Sequence, residues 1–264
     1  MRQRKCWKLL QNIQRMGNNE EWLASISERV KKEGQRTDEW FLARQGKITA
    51  SECYLLMQNG RGKDALFSQM CLTYLEKKIS TYYFERNAYL EYCDVTQCRN
   101  KAVEWGTDFE GDARDRFTEE TGIEVLPSPF IPLRKFEKFA GGSPDGITEG
   151  GDGIIEIKCP FTPETHMRHY RCKDTEVFKS TFEQYYAQMQ MNMMCVSAER
   201  GIPCDHCYFV SYDPRTSYDK QLSVLSIPSD TYFQVTLIGR ITKAVGVYKE
   251  TMKEYDTIKA IQND

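Results

Sequence analysis

One short run limits what this chain can fold into more than any other. Gly153–Lys158 reads GIIEIK, and the glycines at 151 and 153 that precede it mark a strand start. Side chains alternate across a strand, so Ile155 and Ile157 share one face while Glu156 and Lys158 share the other. The apolar face can anchor the strand in a core, leaving a carboxylate and an amine side by side on a rigid element. Upstream, Ser143-Pro144-Asp145-Gly146 follows a short predicted strand and sets Asp145 at a turn. A hairpin from Asp145 to Glu156 would bring both carboxylates to one end. Two carboxylates a few ångströms apart repel unless a cation lies between them. Oxygen donors without histidine favour Mg2+ or Mn2+ over zinc.

An acid two residues before a lysine is common by chance, and the chain carries its own control. Glu76 and Lys78 have the same spacing, but on an expected amphipathic helix with no Pro-Asp turn upstream, and they read as a solvated face. Strand context and the turn separate the two pairs.

The rest of the chain predicts a mixed α/β (α+β) architecture. Helices are expected at 20–33, stopped by Gly34, and after Thr37, an N-cap for a short helix carrying Trp40, Phe41 and Leu42. Ser51 reads as a second cap, opening a helix that ends near Gly60-Arg61-Gly62. A helix follows over 63–78, the stretch 80–99 has no assignment, and 100–121 is helical up to Gly122. Short strands are expected at 123–126, 129–133 and 136–141. Thr162-Pro163-Glu164 starts a helix with a capping side chain, and a long helix covers 177–195. Strands near 206–212 and 221–227 precede a final helix over 229–262, interrupted or bent around Gly246. Helix 100–121 is dense in acids, most of them solvated, and spacing alone does not choose among them. Trp40 and Trp105 read as core.

Composition excludes several classes. At 40% hydrophobic and 28% charged residues over 264 positions, the chain is ordinary soluble material. It lacks the run of about 20 apolar residues needed for a membrane helix. The basic N-terminus places Trp7, Leu9, Leu10, Ile13 and Met16 like a helix face rather than a signal sequence, so an intracellular, cytoplasmic protein is expected. The ten cysteines follow no repeating spacing; the Cys93/Cys98 and Cys204/Cys207 pairs read as buried or idle thiols rather than a zinc site. With a net charge of −2, any phosphate contacts must come from a local basic track.

The segments VEWGTDFEGDARDRF (103–117), GGSPDGI and GIIEIKCP resemble the lambda-exonuclease-like viral recombinase family of the PD-(D/E)xK nuclease superfamily. So do LARQGKITASE (42–52), 159–167, YYAQMQMNMM (185–194) and YFVSYDPR (208–215), in the same order. The likeness runs from about residue 38 to 215 and more weakly to the end. It implies a restriction-endonuclease-like core, a mixed central sheet flanked by helices, over 37–264, with 1–36 as an N-terminal helical extension. It also implies processive 5′-to-3′ digestion of one strand of linear duplex DNA, leaving 3′ single-stranded overhangs.

Residue by residue, the resemblance carries the metal-binding role to Glu110, Asp145 and Glu156, with the backbone carbonyl of Ile157 as a further ligand for two Mg2+ or Mn2+ ions. Lys158 matches the catalytic lysine. Arg44 and Ser51 fall where the family holds the 5′-terminal phosphate. Tyr185 and Gln188 match a supporting helix, and Val103 an apolar wedge between the separating strands. The implied partners are double-stranded DNA ends, two further copies in a homotrimeric ring, and a single-strand annealing protein. The segments 78–100 and 196–204 and residues 1–33 exceed the compact family pattern. Two other readings compete: a structure-specific or restriction-like endonuclease on the same core, and a catalytically inactive DNA-binding scaffold. The scaffold would be expected to have lost one of Glu110, Asp145, Glu156 or Lys158, and all are present.

Overall fold

Gly153–Lys158 forms a strand with the predicted bounds, and it lies at the centre of the larger of two sheets. A computed structural model of the chain describes residues 19–62, 65–96 and 101–262. In chain order these hold α1 (residues 19–33), α2 (Asp38–Arg44), β1 (Ile48–Thr49), a 3-10 helix (Ala50–Met57), α3 (Gln69–Tyr82), α4 (Arg86–Thr96) and α5 (Lys101–Thr121). The strands β2 (Val125–Leu126), β3 (Ile131–Pro132), β4 (Ala140–Gly142), β5 (Gly146–Thr148) and β6 (Gly153–Lys158) follow. After them come α6 (Pro163–Arg171), α7 (Thr175–Thr181), α8 (Glu183–Arg200), β7 (His206–Tyr212), β8 (Leu222–Pro228) and α9 (Thr231–Gln262).

The five-stranded sheet has the order β2-β5-β6-β7-β8, with β6 and β7 parallel and the other neighbours antiparallel. A separate three-stranded sheet has the order β1-β4-β3. Both faces of β6 are covered. Ile155 and Ile157 pack with Ala113 and Phe117 of α5, whereas Ile154 joins the main core with Met189 and Met193 of α8. α8 is buried over most of its length, and Gln190 is satisfied in place. The Gln190 amide donates to the Pro228 carbonyl (2.9 Å) and accepts from the Asp230 N–H (2.9 Å). Ile26 of α1 is fully buried in the main core, and Arg29 pairs with Glu199 of α8.

Several expectations change in detail. Thr37 caps α2 through a hydrogen bond from the Trp40 N–H, and Gly122 ends the acid-rich helix at φ 69°. Ser51 does not cap: it lies inside a 3-10 helix that begins after Thr49. The next helix starts at Gln69, capped by Ser68, which accepts from the Cys71 N–H; residues 63–64 lie outside the described residues. The unassigned stretch contains α4. Thr162 precedes α6 without a side-chain cap bond; Pro163 at the first turn sets the start. The expected helix 177–195 is two helices, because Asp174 caps α7 and the chain leaves helical geometry at Phe182 (φ −123°, ψ 48°). The expected strand 136–141 begins only at Ala140, after a 3-10 turn over Arg134–Phe136. α9 runs through Gly246 without interruption. Lys78 is not solvated: its side chain is 14% exposed and pairs with Glu52 at 3.1 Å. The N-terminal apolar positions Trp7 to Met16, and Cys98, lie outside the described residues.

Candidate active site

The β4–β5 turn delivers Asp145. Its N–H donates to the Ile155 carbonyl (3.1 Å), and its Oδ2 accepts from the Ile157 N–H (2.7 Å). The hairpin register, Gly146 opposite Ile155, therefore places Asp145 beside Glu156. Glu156 is fully buried, which an ionised carboxylate tolerates only with partners. It has three. Oε1 accepts from Lys158 Nζ (2.5 Å) and Gln188 Nε2 (2.6 Å), and Oε2 accepts from Asn192 Nδ2 (3.3 Å). Leaving such a donor or acceptor unpaired costs about 1–3 kcal/mol. The Lys158 ammonium also lies over the Tyr185 ring, 5.1 Å from its centroid. From α5, Glu110 accepts from Arg114 (3.1 Å) and from Arg36 (3.1 Å), and Arg114 also donates to the Asp145 carbonyl (3.1 Å).

The electrostatics follow from this crowding. Burial pushes the Glu156 carboxyl up to about 8; Lys158 opposes the shift, and Asp145 and Glu110 add to it. Burial and Asp145 raise Glu110 against the pull of Arg36 and Arg114. Burial works against the Lys158 charge, but Glu156 and Asp145 outweigh it and raise its pKa. Glu110 and Glu156 are thus each pushed towards the protonated form by burial and by the neighbouring acids.

Arg44 stands on the other side of Ser143. Its guanidinium stacks on Trp40 (4.1 Å to the ring centroid) and donates to Ser143 Oγ (3.3 Å), which also accepts from Trp40 Nε1 (3.0 Å). Among the described residues Arg44 has no ion-pair partner. Glu52, the acid next to Ser51, is bound instead to Lys78. Ser51 Oγ lies 3.3 Å from Thr49 Oγ1.

One cavity of about 460 Å³ is lined by all ten residues singled out in the sequence: Arg44, Ser51, Val103, Glu110, Asp145, Glu156, Ile157, Lys158, Tyr185 and Gln188. Val103 is 53% exposed at this cavity rather than packed in the core. Trp40 lines the cavity too, contrary to the core reading, because its indole serves as the platform for Arg44. Sequence reasoning missed Asn192, Arg36 and Ser143. Asn192 was legible in principle: Gln188 and Asn192 are four apart, hence on one face of a helix otherwise rich in methionine. Cys204 and Cys207 are free buried thiols, and burial pushes Cys204 up to about 12.

A hairpin with Asp145 at its turn, and Glu156 and Lys158 on its second strand beside the acid of a packed helix, defines a protein of the PD-(D/E)xK type. The chain belongs to the YqaJ-like viral recombinase domain family, whose profile matches residues 39–199. It is similar in structure to an alkaline exonuclease, LHK-Exo, from Laribacter hongkongensis: 30% identity, TM-score 0.65, over 86% of this chain and 100% of that one. The same enzyme in complex with dAMP matches at 30% identity and TM-score 0.63 over the same shares. A phage-related exonuclease from Haemophilus somnus 129PT shares the fold at 16% identity and TM-score 0.57, over 79% of this chain and 96% of that one. Comparison with curated proteins gives no significant match.

Proposed function

We propose that this protein is a metal-dependent 5′-to-3′ exonuclease on linear double-stranded DNA. It would leave 3′ single-stranded overhangs for phage-type recombination by two-metal phosphodiester hydrolysis. One observation carries the reading. Arg44, stacked on Trp40 and in no ion pair among the described residues, opens onto the same cavity as Asp145, Glu156 and Lys158. An endonuclease needs the acids but not a second guanidinium beside them. A scaffold needs neither. The described relatives are exonucleases, and one is bound to a nucleoside monophosphate, the kind of product that exonucleolytic digestion releases.

Glu110, Asp145, Glu156 and the Ile157 carbonyl would hold Mg2+ or Mn2+. The set is all oxygen and no histidine lines the cavity, which suits a hard divalent cation. Among the described residues no three acidic, histidine or cysteine side chains form a ready-made ion cluster; Glu156 is paired with Lys158, and Glu110 with Arg36 and Arg114. Such ions, when bound, neutralise phosphate charge and lower the pKa of water. The chain's own residues do the rest. Lys158 holds positive charge near the scissile phosphate and orients the attacking water. Gln188 and Asn192 keep Glu156 pointed into the cavity, and Tyr185 supports the ammonium. Arg44 and Ser51 take the 5′-terminal phosphate, and Val103 stands where the strands would part.

A homotrimeric ring around DNA and a single-strand annealing partner complete the proposal; light scattering and pull-down test them. The decisive experiment compares linear with covalently closed duplex in Mg2+. Digestion confined to the linear form supports the exonuclease, and equal cutting of the closed circle replaces it with the endonuclease.

A further inference from the structure

Arg36 is the one non-glycine among the described residues with a positive φ, 70°. That region is unfavourable for a residue with a β-carbon, so something must hold it there. Two attachments do. The Gln35 side-chain amide donates to the Pro144 carbonyl (3.0 Å), and Thr37 bonds back to the Gly34 carbonyl through its N–H (3.1 Å) and hydroxyl (2.8 Å). The turn over 34–37 is thus tied to the Pro144-Asp145 corner and to the start of α2, the helix that carries Trp40 and Arg44. Gln35 and Arg36 both line the catalytic cavity.

The strained backbone aims the Arg36 guanidinium at Glu110 Oε2, 3.1 Å away. Its side chain is 46% exposed, against 25% for Arg114 on the other oxygen of the same carboxylate. The two arginines differ in kind. Arg114 bonds Glu110 and the Asp145 carbonyl together, and braces the site. Arg36 makes one side-chain hydrogen bond among the described residues, with a group that has five N–H donors. An exposed single ion pair stabilises little. For folding alone, glycine at position 36 would relieve the φ, so the strain points to a task other than packing.

We propose that Arg36 is a transferable phosphate ligand: it rests on Glu110 in the free protein and moves onto a backbone phosphate of the bound DNA duplex. The inference rests on the reading of Glu110 as a cation ligand. A divalent cation held by Glu110 repels a guanidinium resting on the same carboxylate, so the two compete for it. The backbone of the turn stays anchored through Gln35 and Thr37, so only the side chain moves. The anion that then enters the cavity is phosphate, which the guanidinium fork matches. Arg36 therefore competes with the cation before substrate arrives and binds the substrate afterwards.

Two variants test this: Arg36→Gly, which removes the guanidinium and the strain, and Arg36→Lys, which keeps the charge without the fork. Calorimetric titration of DNA-free protein with Mn2+ should show tighter binding in Arg36→Gly than in the wild type, by roughly threefold or more. Duplex binding in Ca2+ should weaken roughly tenfold in Arg36→Gly, with a salt slope lower by about one. Arg36→Lys should recover part of that loss. The melting temperature of Arg36→Gly should equal or exceed the wild-type value, which separates the effect from misfolding. Unchanged DNA affinity and slope in a folded Arg36→Gly, or weaker Mn2+ binding, overturns the assignment of Arg36. A wild-type protein that neither binds Mn2+ nor digests linear duplex instead overturns the nuclease reading itself.

Discussion

Gly142 and Asn192 compete for one volume: a β-carbon on Gly142 would fall well inside van der Waals contact with Asn192 Oδ1. The missing side chain in β4 lets α8 come close enough for Asn192 Nδ2 to reach Glu156. Gly142→Ala should push Asn192 away and cost about 1–3 kcal/mol, the usual penalty of overpacking. The melting temperature should fall, and cleavage with it. Asn192→Ala in the same background should restore part of the melting temperature, because the clash then has no partner. Strictly additive effects in the double variant would sink the relationship.

Asp145 has two duties, accepting from the Ile157 N–H and facing Glu156 across the hairpin. Asp145→Ala and Glu156→Ala should each reduce cleavage to background while circular dichroism stays native. Chelation of divalent ions should do the same to the wild type, and added Mg2+ should restore it. Retained cleavage by either purified variant would remove that residue from the site.

Much of this centre was legible because it lies on a strand and a turn. The GIIEIK alternation gave β6 its true bounds, and Pro144-Asp145-Gly146 gave the corner. Glu110, Tyr185 and Gln188 reach the cavity because α5 and α8 pack on β6, whereas Arg44 and Ser51 come to it from α2 and the 3-10 helix; resemblance supplied Glu110, which periodicity did not distinguish from its acidic neighbours. What the sequence hid depends on tertiary contact. Lys78 looks solvated by helical spacing, yet it is drawn in by Glu52 of a different element. Trp40 has the composition of a core residue and the position of a platform. Arg36 lies in a turn whose conformation no local pattern specifies. The helix break at Phe182 follows from Asp174 capping a short helix, a signal that the apolar spacing of 177–195 overrode.

The acid cluster also sets a pH dependence. With Glu156 pushed up to about 8 by burial, it holds its proton below that pH and must release it to accept a cation. Cleavage at limiting Mg2+ should therefore rise from pH 6 towards 8 and level off above. Stability of the cation-free protein should move the other way. The unfolded carboxyl ionises near its ordinary value and the folded one near 8, so rising pH across that window favours the unfolded chain. Glu156→Gln should raise the melting temperature by an amount that grows from pH 5 to pH 8. A constant gain across that range would mean that Glu156 does not carry the shift.

Away from the site, Asp230 caps α9. Its carboxylate accepts from the Phe233 N–H (3.0 Å), Lys179 (2.7 Å) and Tyr186 (2.8 Å). Burial opposes its charge, but these bonds outweigh it and hold the carboxyl down at about 2. A depressed acid contributes stability above its unfolded pKa and loses it as pH falls through the folded one. Asp230→Ala should cost about 1–2 kcal/mol at pH 7, measured by urea unfolding. The difference should shrink below about pH 4. An undiminished difference at pH 2.5 would assign the cost to packing instead.

Arg44 gives the prediction that separates the exonuclease from its rival. It is half-buried, stacked on Trp40 and bonded to Ser143, and it forms no ion pair among the described residues. Burial disfavours its charge, so an anion entering the cavity beside it is strongly welcome. A terminal phosphate carries more negative charge than an internal diester, and the arginine fork with the nearby Ser51 hydroxyl suits it. Linear duplex with a 5′ phosphate should be digested faster than the same duplex with a 5′ hydroxyl. A charge-assisted contact of about 1.5–3 kcal/mol sets that preference at about ten- to a hundredfold. Arg44→Ala should shrink the preference and leave Mn2+ binding unchanged, since Arg44 touches none of the three acids. Arg44→Lys should restore less than half of it, because a point charge does not stack on Trp40 as a planar guanidinium does. Equal rates on both ends in the wild type, followed over a time course in Mg2+, would assign Arg44 to internal backbone contacts and favour the endonuclease.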